Sequence, residues 1–321
     1  MERNIGERQR WAWLAAGLSA AAASKICGYD WLWVLIGGLL VTIYYMVVDR
    51  VLEPQGMAAL LCQTFGRGGK ILAALTLLWT ILVMGWAANL ADTAFPMVQG
   101  FPGLGWVLLA LAAWGSRKGA AACARCSGVL CLFLIALYGV LVAFAVPDVT
   151  WSYLKPSTNW SHGLWSLGIC LLPAGVWYVP CTRSRKGPAW QMALLLPLFA
   201  AALAAVTAGV LSPELAAVRN VPLYDLAQSV SLFGVVERIE PLLSAAMTMG
   251  VFALLSSMTC SAQALVSQIR ECRWSGIGIS VTAGGLMVLT KDLPIELLSV
   301  GSTVFWLIIP ALMMALARKR H

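Results

Sequence analysis

The sequence predicts an all-α, polytopic membrane protein of about ten transmembrane helices in a five-plus-five inverted repeat, with helices one and six discontinuous. Three observations predict it. The chain is 60 % hydrophobic and 11 % charged, with a mean hydropathy of +0.81, more apolar matter than a water-soluble core can absorb. Runs of about 20 apolar residues recur, the length that crosses a bilayer as a helix. Finally, the basic residues cluster at alternate ends of those runs. The 15 Trp and 29 Gly suit the same class, because indoles favour membrane interfaces and glycine lets helices approach closely in lipid. No second, soluble domain is visible.

Apolar runs bounded by charge or by Pro/Gly loops fall at about 11–28, 31–49, 71–95, 103–115, 127–147, 164–181, 189–211, 240–269, 275–290 and 296–316. These are spans one to ten, within a single domain whose first repeat covers about 11–147 and second about 164–316. The first run lacks a convincing cleavage site and begins a full alternating set, so it reads as a retained helix rather than a signal peptide. Seventeen of the 22 Lys and Arg fall on one side, in clusters such as Arg117, Lys118 and Arg125, or Arg183, Arg185 and Lys186. The positive-inside rule then places both termini in the cytoplasm and requires an even number of spans. The net charge of +8 is thus an orientation signal rather than a nucleic-acid footprint, and the clusters at 183–186 and 318–320 meet anionic lipid heads.

Two sets of five spans force the second half to enter from the opposite side, the arrangement secondary transporters use. Loop lengths agree: the 50–70 connection between spans two and three has its counterpart in 212–239, between spans seven and eight. Spans one and six are then the expected interrupted helices. Span six contains Gly168, Pro173, Gly175 and Pro180, each able to break the backbone ladder. Span one offers Gly17, Ser19 and a run of small residues, a weaker signal of the same kind. Unwound backbone at membrane depth is tolerated where it lines a cavity, and its freed peptide groups can hold the carboxylate and amine of a small solute. A substrate site is therefore expected between these spans, with Trp177 or Tyr178 as its apolar wall; a plain kink is the competing reading.

Other polar residues carry two readings each. Asn89 and Asp92 share a face of span three, and an acid at membrane depth is a functional candidate; Asp92 also lies four residues before Pro96, close to the interface. On span eight, Ser244, Thr248, Ser256, Cys260, Gln263 and Ser267 form one stripe, suited to interhelical hydrogen bonds or to a permeation path. Lys25 snorkels. His162 reads as a loop residue. The pair Cys123-Ala-Arg-Cys126 has no second pair or His beside it and reads as a chance pair. No metal, cofactor or disulfide framework is expected, and no hydrolytic or phosphate-binding constellation appears, so an enzyme is not expected.

The stretch 212–242 departs from this monotony, carrying Glu214, Arg219, Asp225, Glu237, Arg238 and Glu240 between two apolar spans. Within it, Pro222-Leu223-Tyr224-Asp225-Leu226-Ala227, Ser229-Val230-Ser231, Phe233-Gly234 and Glu237-Arg238-Ile239-Glu240 resemble the outer loop and eighth-helix start of the permease-like B subunit of bacterial spore germinant receptors. That family belongs to the amino acid, polyamine and organocation transporter superfamily. Gly69-Lys70, Leu154-Lys155-Pro156, Leu172-Pro173 and the basic C-terminal stop are similar in order. The resemblance implies the five-plus-five inverted-repeat fold, sensing of a small amino-acid-like germinant, assembly with an A subunit and a lipoprotein C subunit, and a place in the inner spore membrane. It departs in two places: span one has no Pro, and Val176-Trp177-Tyr178 supplies no carboxylate after the break in span six. Glu237, Arg238 and Glu240 then read as a latch over the site or a partner contact, against a solvated helix start whose acids favour the helix dipole. An amino-acid or amine symporter of the same fold, with Asp92 or Glu240 as proton carrier, and a membrane scaffold without ligand are the alternative functions.

Overall fold

The structure, a computed structural model, describes residues 5–23, 30–51, 56–93, 103–155, 160–182, 190–219, 221–229, 240–270, 275–291 and 293–318. The ten expected spans are present as α1 (Glu7–Ala23), α2 (Trp31–Val51), α4 (Arg67–Thr93), α5 (Leu104–Arg117), α6 (Ala120–Ala145), α7 (Trp160–Cys170) with a 3-10 continuation over Leu172–Tyr178, α8 (Trp190–Leu211), α11 (Glu240–Ile269), α12 (Ser275–Thr290), and α13 (Ile295–Thr303) joined to α14 (Ile309–Arg318) by a π-helical turn over Val304–Ile308. The two long connections each carry short helices: α3 (Gly56–Phe65) between spans two and three, and α9 (Pro213–Val218) and α10 (Pro222–Ser229) between spans seven and eight. Among the described residues, five helices are long and apolar enough to cross a membrane by length and composition alone. The exterior of the bundle is apolar, with Val129, Val288 and Leu289 at least 70 % exposed. Such side chains belong against lipid rather than water.

Helix packing repeats itself between the two halves. Exchanging spans one to five for six to ten maps α1–α6 packing onto α7–α13, α4–α12 onto α11–α5, α4–α5 onto α11–α12, and α2–α7 onto α8–α1; equivalent spans also pack on each other as α2–α8, α4–α11 and α5–α12. The halves run in opposite directions. Ile5–Gly6, just before span one, pairs in parallel with Cys181–Thr182, just after span six, so span one enters from the face at which span six leaves.

Span six breaks as its sequence requires. Pro173 has no N–H to give the carbonyl of Ile169, and the chain leaves α-helical geometry after Cys170. Span one behaves differently. It is continuous from Glu7 to Ala23, because no proline interrupts the ladder and alanine is the strongest helix former; the expected interruption does not fall there, and residues 24–28 lie outside the described residues. Span ten contains an unforeseen irregularity. Pro310 cannot donate to Phe305 or Trp306, and the helix widens into a π turn at that point.

Glycine sets the closeness of several crossings. Gly168 of α7 faces α13, where an added Cβ would land on the backbone and hydroxyl of Ser299, so these helices meet through a hydrogen in place of a side chain. Gly168→Ala is expected to lower stability by about 1–3 kcal/mol, since backbone must give way. Gly139→Ala, where a Cβ meets nothing within 4 Å, is expected to be neutral or stabilising by up to about 1 kcal/mol. Thermal unfolding of the two variants in detergent separates these outcomes.

Candidate functional site

The break in span six is gripped by spans one and eight. A Cβ added to Gly17 of α1 would lie 2.9 Å from Cβ of Pro173 and 3.6 Å from Leu254 of α11, so glycine is what lets span one reach the break. A Cβ on Gly175 would lie 2.8 Å from Sδ of Met258. The hydroxyl of Ser261 donates to the carbonyl of Gly175 at 2.7 Å, capping a peptide group the broken ladder leaves free. Arg10 Nη2 donates to the carbonyl of Val179 at 3.2 Å. Span one is also tied to span eight, because Trp13 Nε1 donates to the Ala253 carbonyl at 3.1 Å and to Ser256 Oγ at 3.2 Å.

Trp177 sits in the break and is fully buried. Its ring stacks on Tyr45 with centroids 4.8 Å apart, meets Trp11 edge-on at 5.3 Å and lies under the Arg10 guanidinium at 4.5 Å. These contacts join spans one, two and six through aromatic and cation–π attraction. Arg10 is held in turn by Asp49, at 2.8 Å. The pair forms because Arg10 begins span one and Asp49 ends span two, which puts both at the same face of the bundle.

Span ten closes the ring. Pro310 has no N–H to offer the preceding turn, and three tyrosines donate to successive carbonyls there. Tyr178 donates to Phe305 O at 3.0 Å, Tyr45 to Trp306 O, and Tyr44 to Leu307 O at 2.9 Å. Near this seam the indole N–H groups of Trp79, Trp177 and Trp306 and the hydroxyl of Ser302 are buried without a hydrogen-bond partner among the described residues. Direct contacts connect them, since Trp79 stacks on Phe305 and Tyr45 bridges Trp177 to the Trp306 carbonyl. Buried donors left unpaired cost about 1–3 kcal/mol each.

A cavity of about 550 Å³ leads toward the break. Its walls are the α5–α6 turn, the second half of α11 and residues 178–180, and it includes Ile5, which marks its face as the one where span one begins. Arg117, Lys118 and Arg125 line it, and none of the described lining residues is acidic. Cys260, Gln263 and Ser267 of the polar stripe on span eight line it as well. Several hydroxyls of that helix are spent on its own preceding turn, as Thr248 donates to Ser244 O, Ser256 to Ala253 O and Ser267 to Ala264 O. Gln263 crosses to Ser116 of α5 at 2.9 Å.

The residues singled out in the sequence divide accordingly. Gly17, Pro173, Gly175 and Trp177 come together at the break. Gly168 serves the α7–α13 crossing. Ser19 donates to Ala16 O at 2.6 Å and lines a separate cavity of about 90 Å³ with Tyr138 and Leu203, between α1, α6 and α8. Asn89 donates to Met287 O at 2.6 Å and to Thr290 Oγ1 at 3.0 Å, fastening α4 to α12. Asp92 accepts from the N–H of Gly105 at 2.9 Å and caps α5. Both are engaged in joining helices. Glu237 and Arg238 lie outside the described residues, and Glu240 opens α11. Arg10, Asp49, Trp13, Tyr45 and Ser261 were not singled out. The signal for the first two was available: opposite charges at adjoining ends of consecutive spans.

The fold is similar to that of two solved transporters. Mhp1, a nucleobase-cation-symport-1 family transporter in a closed conformation with bromovinylhydantoin bound, superposes with a TM-score of 0.67 at 13 % identity, over 98 % of this chain and 78 % of that one. A Na+-coupled sialic acid symporter in a substrate-bound outward-open state gives 0.55 at 14 % identity, over 95 % and 78 %. No protein-family model and no curated protein matches the sequence. The chain is a membrane protein whose structural neighbours are substrate-binding transporters, not enzymes.

The Arg10–Asp49 pair yields a direct test. Arg10→Met alone strands the Asp49 carboxylate in a buried setting and is expected to destabilise by about 3–5 kcal/mol, whereas Arg10→Met with Asp49→Leu is expected to recover most of that loss. A double-mutant cycle on thermal stability measures the coupling.

Proposed function

We propose that this protein is a transporter of small organic solutes, with amino acids or amines as its substrate class, working by rearrangement around the broken sixth span. One observation carries the reading: an unwound segment, Leu172–Tyr178, lies between spans one and eight, and a cavity of about 550 Å³ opens toward it from one face. Backbone freed from a helix offers both N–H and C=O groups, which suits a solute carrying an anionic and a cationic end. The structural neighbours are symporters for small organic solutes, which supports transport over a scaffold role.

The basic clusters orient the chain with both termini in the cytoplasm. In that orientation the cavity faces inward, and α10 covers the opposite end, where Leu223, Leu226 and Ala227 are buried against α8, α11 and α1. Transport then proceeds by a shift between this inward-facing arrangement and one open on the α10 side. Solute drives that shift only to the extent that it binds the two states unequally. The Arg10–Asp49 pair and the tyrosine bonds to span ten are the contacts such a shift would exchange.

A second reading rests on a different observation, the stretch from Pro222 to Glu240. Its resemblance to the B subunit of spore germinant receptors supports a protein that senses a small amino-acid-like germinant and passes the event to an A subunit and a lipoprotein C subunit. Pro222–Ser229 forms the capping helix α10, which Arg219 joins through an ion pair to Asp225 at 3.3 Å. In this reading Glu237, Arg238 and Glu240 contact the partner subunits or latch the outer loop.

Uptake of radiolabelled amino acids and amines into proteoliposomes, under a Na+ gradient and under a proton gradient, tests the proposal. Concentrative uptake that Gly175→Val lowers at least tenfold is the expected result. Absence of both uptake and binding across the panel contradicts it. Saturable binding without uptake, joined by co-purification with A and C subunits, favours the receptor reading.

A further inference from the structure

Away from the broken span, spans four and nine frame a groove of about 330 Å³ on the flank of the bundle. The two helices run antiparallel along it. A Cβ added to Gly276 of α12 would lie 3.0 Å from Ser116 Oγ of α5 at one end, and the ring of Trp106 packs on Gly284 at the other. Leu109 and Ala113 are buried along the groove, whereas Trp114, Ile277 and Val281 are exposed, so it opens on the apolar exterior. Two polar side chains interrupt the apolar lining. Arg117, the last residue of α5, is the one charged residue among the described lining residues. Ser280 is only 5 % exposed, and its hydroxyl has no hydrogen-bond partner among the described residues. It lies four residues beyond Gly276, roughly 6 Å along α12 from the end where Arg117 stands.

We propose that this groove holds one anionic phospholipid, its phosphate at Arg117, an ester carbonyl at Ser280 and one acyl chain along α5 and α12. Length, charge and the unpaired hydroxyl each select that occupant. From Arg117 to Trp106 the helix rises roughly 16 Å, close to one leaflet of a hydrocarbon core of about 30 Å. A lipid with its head at Arg117 therefore ends its chain near Trp106. A guanidinium grips a phosphate through two parallel N–H bonds, and basic pockets between membrane helices recruit anionic head groups. The ester carbonyls of a phospholipid lie just inside its phosphate and can only accept, which matches a buried hydroxyl set one helical turn deeper than Arg117. Trp114, exposed one turn before Arg117, takes the interfacial position that indoles favour. The leaflet is the one on the side where span one begins, because Arg117 and Ile5 also share the wall of the larger cavity. The site is independent of the solute.

The test uses the full chain in detergent, with phosphatidylglycerol and phosphatidylcholine of identical acyl chains offered separately and bound lipid counted by native mass spectrometry. The wild type is expected to retain one phosphatidylglycerol, about fivefold more tightly than phosphatidylcholine. Arg117→Gln is expected to remove that preference. Ser280→Ala is expected to weaken both lipids about fivefold, since both carry the ester carbonyls. Arg125→Gln, at a basic residue that lines the larger cavity but not the groove, is expected to leave both affinities as they were. A second measurement needs no variant: phosphatidylglycerol carrying a diazirine midway along one chain, photolysed in liposomes, is expected to label peptides from Leu104–Arg117 and Ser275–Thr290. Equal affinity of the wild type for the two lipids overturns the assignment, as does a preference that survives Arg117→Gln. An equal loss in Arg125→Gln marks a merely basic surface and overturns it too, and so does labelling centred on other spans. Glycerol phosphate binding as tightly as the intact lipid makes a soluble anion the occupant and contradicts the proposal.

Discussion

The structure depends on the meeting of Gly17 with Pro173. Proline removes the N–H that would continue span six as an α-helix, and glycine removes the side chain that would hold span one away from the resulting break. Neither residue alone makes the site. A broken helix in lipid leaves peptide groups without partners, which is tolerable only when neighbours supply them, and here Ser261, Arg10 and the close approach of span one do so. Every other feature at the centre follows from keeping that break covered: the stacking of Trp177, the burial of Arg10 with Asp49, and the turn toward span ten.

Span ten repeats the same physics with other residues. Pro310 removes a donor from a helix that would otherwise be regular, and Tyr44, Tyr45 and Tyr178 donate to successive carbonyls of the widened turn. A ring of hydroxyl-to-carbonyl bonds thus links spans two, six and ten. Bonds of this kind contribute about 1 kcal/mol net each, strong enough to specify one arrangement and weak enough to exchange for another. That balance suits the rearrangement proposed for this protein.

Much of this was legible in the chain. Apolar run length gave the ten spans because the bilayer fixes it, and the odd count per half gave the inverted arrangement that the mirrored packing displays. Pro173 and Gly175 marked the break through their own backbone chemistry. The tertiary partners were not legible. Asn89 and Asp92 look like site residues in a one-dimensional reading, since polarity at membrane depth demands a partner; the partner turned out to be another helix, Met287 and Thr290 for one and Gly105 for the other. Gly17 and Ser19 look alike in sequence, yet two positions along a helix turn them to different neighbours. Ser261 falls beside the more regular stripe of span eight, and a lone proline in an apolar span, as at Pro310, does not say which carbonyls a distant side chain will reach.

The central claim is that the unwound segment Leu172–Tyr178 is where a solute binds. It is tested most directly by an experimental structure of the protein in lipid nanodiscs with a bound amino acid or amine found by ligand screening. The account predicts ligand density against the Leu172–Tyr178 backbone, between spans one and eight and beside Trp177. Density confined to another place, such as the small cavity between α1, α6 and α8, with Gly17 and Pro173 still in contact, would contradict it.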